Sequence, residues 1–334
     1  MSTLALIGLG SNLGDRKHHL DSALAALGQA TGITVRAVSS THETAPVGGP
    51  AGQPPFLNAA AALETSLDPF QLLRALNNVE AEFSRDRSVH WGPRTLDLDL
   101  LLYGDRVIDD GPTLRVPHPR MAVRRFVLAP LAEIAPEAID PLTRQTVSSL
   151  LENLDRRPSY VCLKMATAAN QLVPRVLAAL GSGAVRVDRG SEVPLDPPLE
   201  KTPQNPLHPM LETIIARHAS RMNAARWPAE QLGDRWLVGD FWFDQLCVVG
   251  LALTDDAEWS KFRRRLVEAR ARVIRPTFVV NPPRSSSWLR AGSFNEPKRW
   301  FPPLGETPVL EIASKSDDEM LAEIVAACAA TRSC

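Results

Sequence analysis

Apolar and polar positions change period repeatedly along the first hundred residues. Residues 3–9 (TLALIGL) form a short apolar run closed by glycine, which predicts a buried strand. Leu20, Ala23, Leu24 and Leu27 then recur at helical spacing up to Gly28. Residues 33–39 and 57–63 predict two strands. Asp68-Pro69 opens a helix, with Asp as cap and Pro in the first turn, carrying Leu72, Leu76 and Val79 inward. Residues 97–103 predict another strand. The order strand, helix, strand, strand, helix, strand matches an α+β, ferredoxin-like domain.

Past residue 150 the pattern changes. Residues 151–158 (LENLDRRP) pass from a helical tail to charge and a proline, so the chain is expected to divide into domains 1–154 and 155–334. Strands are predicted at 160–163, 235–238 and 277–280, with helical patterns at 171–180, 210–225 and 258–273 between them. That alternation predicts an α/β domain built on a parallel sheet. Six prolines between Pro194 and Pro209 exclude a long helix or a central strand there. Leu211, Ile214, Ile215, Ala219 and Met222 form a stripe wide enough for a sheet and for a second copy of the chain, so a homodimer through the C-terminal domain is one expectation.

Composition narrows the functional classes. Lys plus Arg is 37 and Asp plus Glu 38, a formal charge of −1, which gives no general reason to bind nucleic acid or a membrane surface. Hydrophobic residues at 44% and charged residues at 22% allow a large core. No apolar run reaches the roughly 18 residues of a membrane span, and the N-terminus lacks the pattern of a signal peptide. Cys162, Cys247, Cys328 and Cys334 show no C-x-x-C spacing. They read as reduced thiols of a cytoplasmic protein, not a disulfide frame or a zinc site.

The chemistry concentrates in residues 85–103, RDRSVHWGPRTLDLDLLLY. Asp97 and Asp99 sit at i and i+2 of a predicted strand, so both carboxylates project from one face. Two hard oxygen ligands on one face suit Mg²⁺, which keeps waters and takes its other ligands from a nucleotide. Arg85, Arg87 and Arg94 lie just upstream, and guanidinium groups suit a polyphosphate. An Asp-x-Asp pair alone is more often a solvated strand edge, but the unbroken run WGPRTLDLD is not a chance feature. Gly8, Gly10 and Gly14 miss the dinucleotide fingerprint by one residue, so a Rossmann reading is rejected; Ser11, Asn12 and Asp15 are expected to cap the next helix.

Five segments in order, IGLGSNLGDR (7–16), ETAPVG (43–48), FLNAA (56–60), WGPRTLDLDLL (91–101) and VPHPRM (116–121), resemble the 6-hydroxymethyl-7,8-dihydropterin pyrophosphokinases of folate biosynthesis over about residues 3–150. The resemblance implies transfer of pyrophosphate from ATP to the pterin hydroxymethyl group, leaving AMP. It implies two Mg²⁺ ions at Asp97 and Asp99, with Arg85 and Arg94 as catalytic arginines that close over the phosphates. It implies a pterin site at Thr44, Pro46, Phe56, Asn58 and Phe126. An ATP site is implied at Asn77, Arg87, Trp91, His118 and Arg124. A flat heterocycle favours aromatic faces, and Asn offers its amide edge both a donor and an acceptor. The chain departs from the family at His90, where a base such as Arg is usual, at a loop before Trp91 one residue short, and at Pro119 and Arg125.

In the second half, WLVGDFWFDQ (236–245), LTDDAEWSKFRRRL (253–266) and PTFVVNPP (276–283) resemble the deoxynucleoside kinases, which implies an α/β P-loop-kinase-like parallel-sheet domain. Where that family has a glycine-rich loop ending in Gly-Lys-Ser/Thr, this chain has LKMATAANQL (163–172), without a glycine; Lys164 comes too early to replace the lysine. Asp240 matches an acid that meets substrate in that family. The expectation is a catalytically degenerate domain. Its alternatives are a second working nucleoside kinase, or a chain that serves as a non-catalytic nucleotide-binding module. The basic residues Lys261, Arg263, Arg264, Arg265, Arg270, Arg272 and Arg275 read as a solvated face, with an anion-binding face as the alternative, and Phe262, Leu266, Val267, Ala269 and Val273 as the buried stripe.

Overall fold

The structure is a computed structural model that describes residues 2–83, 92–163, 169–187, 207–243, 256–281, 307–312 and 316–333. It divides into two compact units, one of Met1–Leu154 with Ala326–Cys334 and the other of Asp155–Val325.

The first unit runs β1 (Thr3–Ser11), α1 (Arg16–Gln29), β2 (Ile33–Val38), β3 (His42–Thr44), β4 (Phe56–Thr65), α2 (Pro69–Glu82) and β5 (Asp97–Tyr103). A hairpin of β6 (Ile108–Asp110) and β7 (Leu114–Val116) comes next, then α3 (Arg125–Ile134) and α4 (Val147–Asp155). The sheet order is β2-β4-β1-β5 with every neighbour antiparallel, and β3 adds to the end of β4. The expected strands and helices are all present, lengthened by one to three residues in places. Asp68 caps α2 by accepting the N–H groups of Phe70 and Gln71, while the Gln71 side chain accepts the Asp68 N–H. This closed box fixes where the helix starts.

Side chains along a strand alternate between faces, and the two faces of this sheet have different tasks. Ala5, Ile7, Leu9, Ala59, Ala61 and Leu63 pack under Leu20, Ala23 and Leu27 of α1 and Leu72, Leu76 and Val79 of α2. Leu6, Ala60, Ala62 and Leu101 face the other way, into Val127, Leu128 and Leu131 of α3 and Leu150 and Leu154 of α4. Gly8, Gly10, Asn58, Asp97 and Asp99 continue this second set by steps of two. Past the end of the helix-covered core, the same face becomes polar.

The second unit runs β8 (Ser159–Leu163), α5 (Ala169–Leu180), β9 (Ala184–Arg186), α6 (Leu207–Arg221), a one-turn α7 (Ala229–Leu232), β10 (Trp236–Gly239), α8 (Asp256–Arg270), β11 (Phe278–Asn281) and β12 (Val309–Glu311). Helix α9 (Asp317–Ala330) closes the chain. All strand pairs are parallel, and across the sheet they lie β9-β10-β8-β11-β12. The helix expected over 210–225 ends at Arg221, because Asn223 Oδ1 accepts the Ala225 N–H and starts a tight 3₁₀ turn at Ala224. Ile215, Met222 and the half-buried Ala219 of its stripe pack into the unit's own core with Phe262, Leu266 and Trp242. The side chains of Leu211 and Ile214 lie outside the described residues. Two expectations for α8 are corrected: Val267 is 48% exposed, turned away from Phe262 and Leu266, and Arg270, expected on the solvated face, is buried. Residues 164–168, within the stretch expected to be a degenerate phosphate loop, also lie outside the described set.

Candidate active site

Asp97 and Asp99 rise from β5 with side chains 18% and 33% exposed. Across the ladder they stand beside Gly10 and Gly8 of β1. A Cβ at Gly10 would lie 3.3 Å from Asn58 Oδ1, 3.9 Å from the Phe56 ring and 3.9 Å from the Asp97 Cβ. The missing side chain leaves a notch in which a carboxylate, an aromatic edge and an amide meet. Glycine here serves close approach, not a turn.

Basic groups surround the carboxylates. Arg94 Nη1 pairs with Asp97, Arg124 Nη1 lies 3.5 Å from Asp99, and His118 Nε2 lies 3.8 Å from the same carboxylate. The Arg120 N–H donates to His118 Nδ1 at 3.2 Å, so the neutral ring carries its proton on Nε2, toward Asp99. Burial pulls the His118 imidazole down to about 4, Arg124 and Arg120 add to the fall, and Asp99 opposes it. At neutral pH it is an uncharged N–H donor. Burial also pulls the Arg124 guanidinium down, again against Asp99.

Next to the notch is a mixed aromatic and amide slot. Thr44 and Asn58 are buried, and Asn58 Nδ2 donates to Thr44 Oγ1 at 2.9 Å. Phe56 and Phe126 are half-buried, with the Arg124 guanidinium 5.5 Å above the Phe126 ring. Pro46 is half-buried just past β3, and Asn77 half-buried on α2. Thus Arg94, Asp97, Asp99, His118 and Arg124 come together around the carboxylates, and Thr44, Asn58 and Phe56 around the slot. Arg85, Arg87 and Trp91 lie outside the described residues, as does His90.

Three residues that hold this arrangement are not among the expected site residues. Asn12 donates its backbone N–H to the Arg94 carbonyl at 3.0 Å, accepts the Arg94 N–H on Oδ1 at 2.7 Å, and donates Nδ2 to the Pro54 carbonyl at 3.2 Å. Glu80 of α2, 1% exposed, accepts the Leu98 N–H. Arg120 fixes the His118 tautomer. Of the three residues expected to cap α1, only Asp15 does so, accepting the His18 N–H at 3.1 Å. Asn12 is spent on Arg94 instead, and the buried Ser11 Oγ has no hydrogen-bond partner. The one signal for Asn12 is its place in the run GSNLGDR.

The donor set fits Mg²⁺ better than a metal that needs a full protein cage. Asp97 and Asp99 are two oxygen ligands on one face, and no group of three His, Cys, Asp or Glu side chains able to hold a metal occurs among the described residues. Mg²⁺ needs only one or two carboxylates where phosphates and water supply the rest.

In the second unit, Asp240, 5% exposed, follows β10 at its carboxyl end. The Tyr160 hydroxyl donates to the Phe241 carbonyl at 2.8 Å, His218 stacks on the Phe241 ring at 3.5 Å, and the buried Arg270 of α8 lies 5.3 Å from the Trp242 ring. The cluster is tightly packed. Lys261, Arg263, Arg264 and Arg265 face solvent, with Arg265 paired to Glu212 at 3.2 Å. Cys162 and Cys328 are buried free thiols, and no helix among the described residues is long and apolar enough to cross a membrane.

Comparison with known proteins agrees with the geometry of the first unit. The family model for 7,8-dihydro-6-hydroxymethylpterin-pyrophosphokinase (HPPK) matches residues 6–136. The 2-amino-4-hydroxy-6-hydroxymethyldihydropteridine pyrophosphokinase of Synechocystis is 40% identical over 181 residues, 54% of this chain and 91% of the relative. The protein of the same name from Bacillus subtilis is 52% identical over 134 residues, 40% of this chain and 79% of the relative. Among solved structures, an HPPK-DHPS chain in complex with substrates is 11% identical with a TM-score of 0.38, covering 98% of this chain and 83% of that one. The match to the family model takes in the carboxylate pair and the slot beside it, and the chain belongs to the 7,8-dihydro-6-hydroxymethylpterin pyrophosphokinase family.

Proposed function

We propose that the carboxylate pair, the amide and aromatic slot and the basic groups around them are the parts with which this chain carries out its family's reaction. As a pyrophosphokinase it transfers pyrophosphate from ATP to 6-hydroxymethyl-7,8-dihydropterin, a transferase step of folate biosynthesis that leaves AMP. The observation that carries the residue assignment is the notch at Gly10, which brings Asp97, Asn58 and Phe56 to one point. An acceptor hydroxyl held in the slot is thereby set beside the carboxylates.

The pterin lies between Phe56 and Phe126, with Asn58 Oδ1 and the backbone around Thr44 and Pro46 on its amide edge. Asn58 Nδ2 is already tied to Thr44, so its oxygen is held toward the ligand. Asp97 and Asp99 hold Mg²⁺, which supplies charge neutralisation for the triphosphate during an in-line displacement. Arg94 and Arg124 flank the carboxylates and bind phosphate oxygens, where guanidinium forks are strong donors. His118, neutral and with its proton on Nε2, donates a hydrogen bond without adding charge. Asn77, Arg87 and Trp91 are assigned to the ATP site and Arg85 to its phosphates.

We read residues 1–154 as a ferredoxin-like pyrophosphokinase domain and 155–334 as a P-loop-kinase-like domain that has lost its phosphate loop. The strand order supports both: β5-β1-β4-β2 in the first sheet, and the unit's strands in the order second, third, first, fourth, fifth in the other. Pairing of chains through α6 gains no support, because Ile215 and Met222 are buried in the unit's own core. The deciding experiment is AMP formation from ATP and hydroxymethyldihydropterin with and without Mg²⁺, beside a search for ADP released with deoxynucleosides. Pterin-dependent AMP and no nucleoside-dependent ADP is the expected result.

A further inference from the structure

The loop between β3 and β4, residues 45–55, borders the slot at both of its ends. Thr44 precedes it and Phe56 succeeds it, and these two residues pair across the ladder. The loop is rich in glycine and proline, with Gly48, Gly49 and Gly52 all at positive φ, and β3 itself is only three residues long. Backbone pairing alone is a weak anchor for such a strand. The path of the loop beyond that pair therefore depends on side chains that reach both ends.

One side chain does. Arg16, the first residue of α1, donates Nη2 to Glu43 Oε2 at 2.8 Å and Nη1 to the Pro55 carbonyl at 2.8 Å. Glu43 is the residue before Thr44, and Pro55 is the residue before Phe56. A guanidinium is planar with fixed spacing between its nitrogens, so it sets a distance as well as a charge. Its own position is well determined. Gly14 at φ +63° turns the chain, the Asp15 side chain caps the helix, and Asn12 anchors the start of the same turn to Arg94. Asn12 also holds the Pro54 carbonyl, so two side chains of one turn grip the same end of the loop.

We propose that Arg16 is a positioning residue for the pterin: its fork clasps both ends of the 45–55 loop and presets the width of the slot, with Glu43 as its charged partner. This rests on the assignment of the pterin to Thr44, Phe56 and Asn58. Without the clasp the ligand has to order the loop as it binds, and the cost falls on binding. The phosphate end is held separately, by Asn12 on Arg94 and Glu80 on Leu98, and is left in place.

The test is steady-state kinetics on the full chain. Arg16→Ala is expected to raise KM for hydroxymethyldihydropterin about tenfold, or about 1.4 kcal/mol. KM for ATP and kcat at saturating pterin should stay within about twofold. Arg16→Lys, a point charge that holds one partner at a time, and Glu43→Gln, which keeps an acceptor without the charge, should each raise it about threefold. Those two milder variants also serve if Arg16→Ala does not fold. A purely structural role would lower the melting temperature and the active fraction without moving KM. Asn58→Ala is the control for the slot itself. If it raises the pterin KM while the Arg16 and Glu43 variants do not, the clasp is refuted and the slot stands. If Asn58→Ala also leaves KM unchanged, the slot assignment fails and the clasp fails with it.

Discussion

Glu80, on the inner side of α2, accepts the backbone N–H of Leu98 at 2.8 Å, and Leu98 lies between Asp97 and Asp99. The carboxylate thus holds the backbone of the very strand that presents the proposed metal ligands. Glu80→Ala leaves the Leu98 N–H buried without this acceptor, a loss of about 2 kcal/mol in stability. A fall in kcat beyond what unfolding explains is expected too. Urea denaturation and activity of the folded fraction check the two parts, and normal kcat in a folded variant would remove the positioning role.

Asp97→Ala and Asp99→Ala are each expected to cut AMP formation at least ~100-fold, the scale of losing a principal electrostatic stabiliser. Both side chains are partly exposed, so the fold should survive. Arg94 loses its partner in Asp97→Ala but keeps its backbone bonds to Asn12. Near-normal turnover in either variant, measured as AMP released, would overturn the metal assignment.

Gly10→Ala tests the notch. The new methyl would press on Asn58 Oδ1 at 3.3 Å and touch Phe56 and Asp97 at 3.9 Å. A contact that tight displaces the amide by a few tenths of an ångström, enough to spoil a hydrogen bond to the ligand. The expected result is a pterin KM raised several-fold with a smaller change in KM for ATP. Unchanged pterin binding would separate the notch from the slot.

The strands and helices of the first unit were legible because their burial is periodic and long. β3, β6 and β7 were not, since three residues cannot display a period, and neither was α3, whose helical pattern is interrupted by Pro130. That Asp97 and Asp99 share a face was legible from spacing, because i and i+2 on a strand point the same way, whereas their reading as a metal pair needed the longer run WGPRTLDLD. Glu80 was hidden for the opposite reason: on a helix it looks like one more solvated charge, and only the tertiary fold brings Leu98 to it. Asn12 read as a helix cap because local chemistry favours that, yet the long-range bonds to Arg94 claim it. In α8 the basic residues up to Arg265 face solvent but Arg270 is buried against Trp242, while Val267 shows that an apolar residue inside a helical pattern need not join the stripe.

Glu133 of α3 accepts the Ser40 N–H, the Ser40 hydroxyl and a bond from His42 Nε2, tying α3 to the start of β3. The Ser40 hydroxyl and N–H and then His42 hold its carboxyl below the ordinary value of 4.5. A folded-state value below the unfolded one means the stabilisation is complete above pH 4.5 and is lost as pH falls through the folded value. Glu133→Gln should therefore cost stability at pH 7, about 1 kcal/mol for a partly exposed group. The difference from the parent should shrink toward pH 3. Denaturant midpoints at the two pH values check it, and a constant difference would count against the linkage.

The last expectation concerns how much of the chain the reaction needs. The first compact unit includes Ala326–Cys334 as well as Met1–Leu154. Yet among the described residues the apolar clusters on the two faces of its sheet, from Ala5 to Val116 on one and from Leu6 to Leu154 on the other, are built only of residues before position 155. The same holds for every proposed site residue, and for Asn12, Arg16 and Glu80 behind them. A core that closes within its own segment can fold without the remainder of the chain. The chain ended after Leu154 is accordingly expected to be soluble and to form AMP with pterin and ATP KM values within about threefold of the full chain. Adding back 326–334 should change neither. A fragment that is folded by circular dichroism but inactive would mean that residues after 154 contribute to the site, and that the break at 154 and 155 divides the fold without dividing the function.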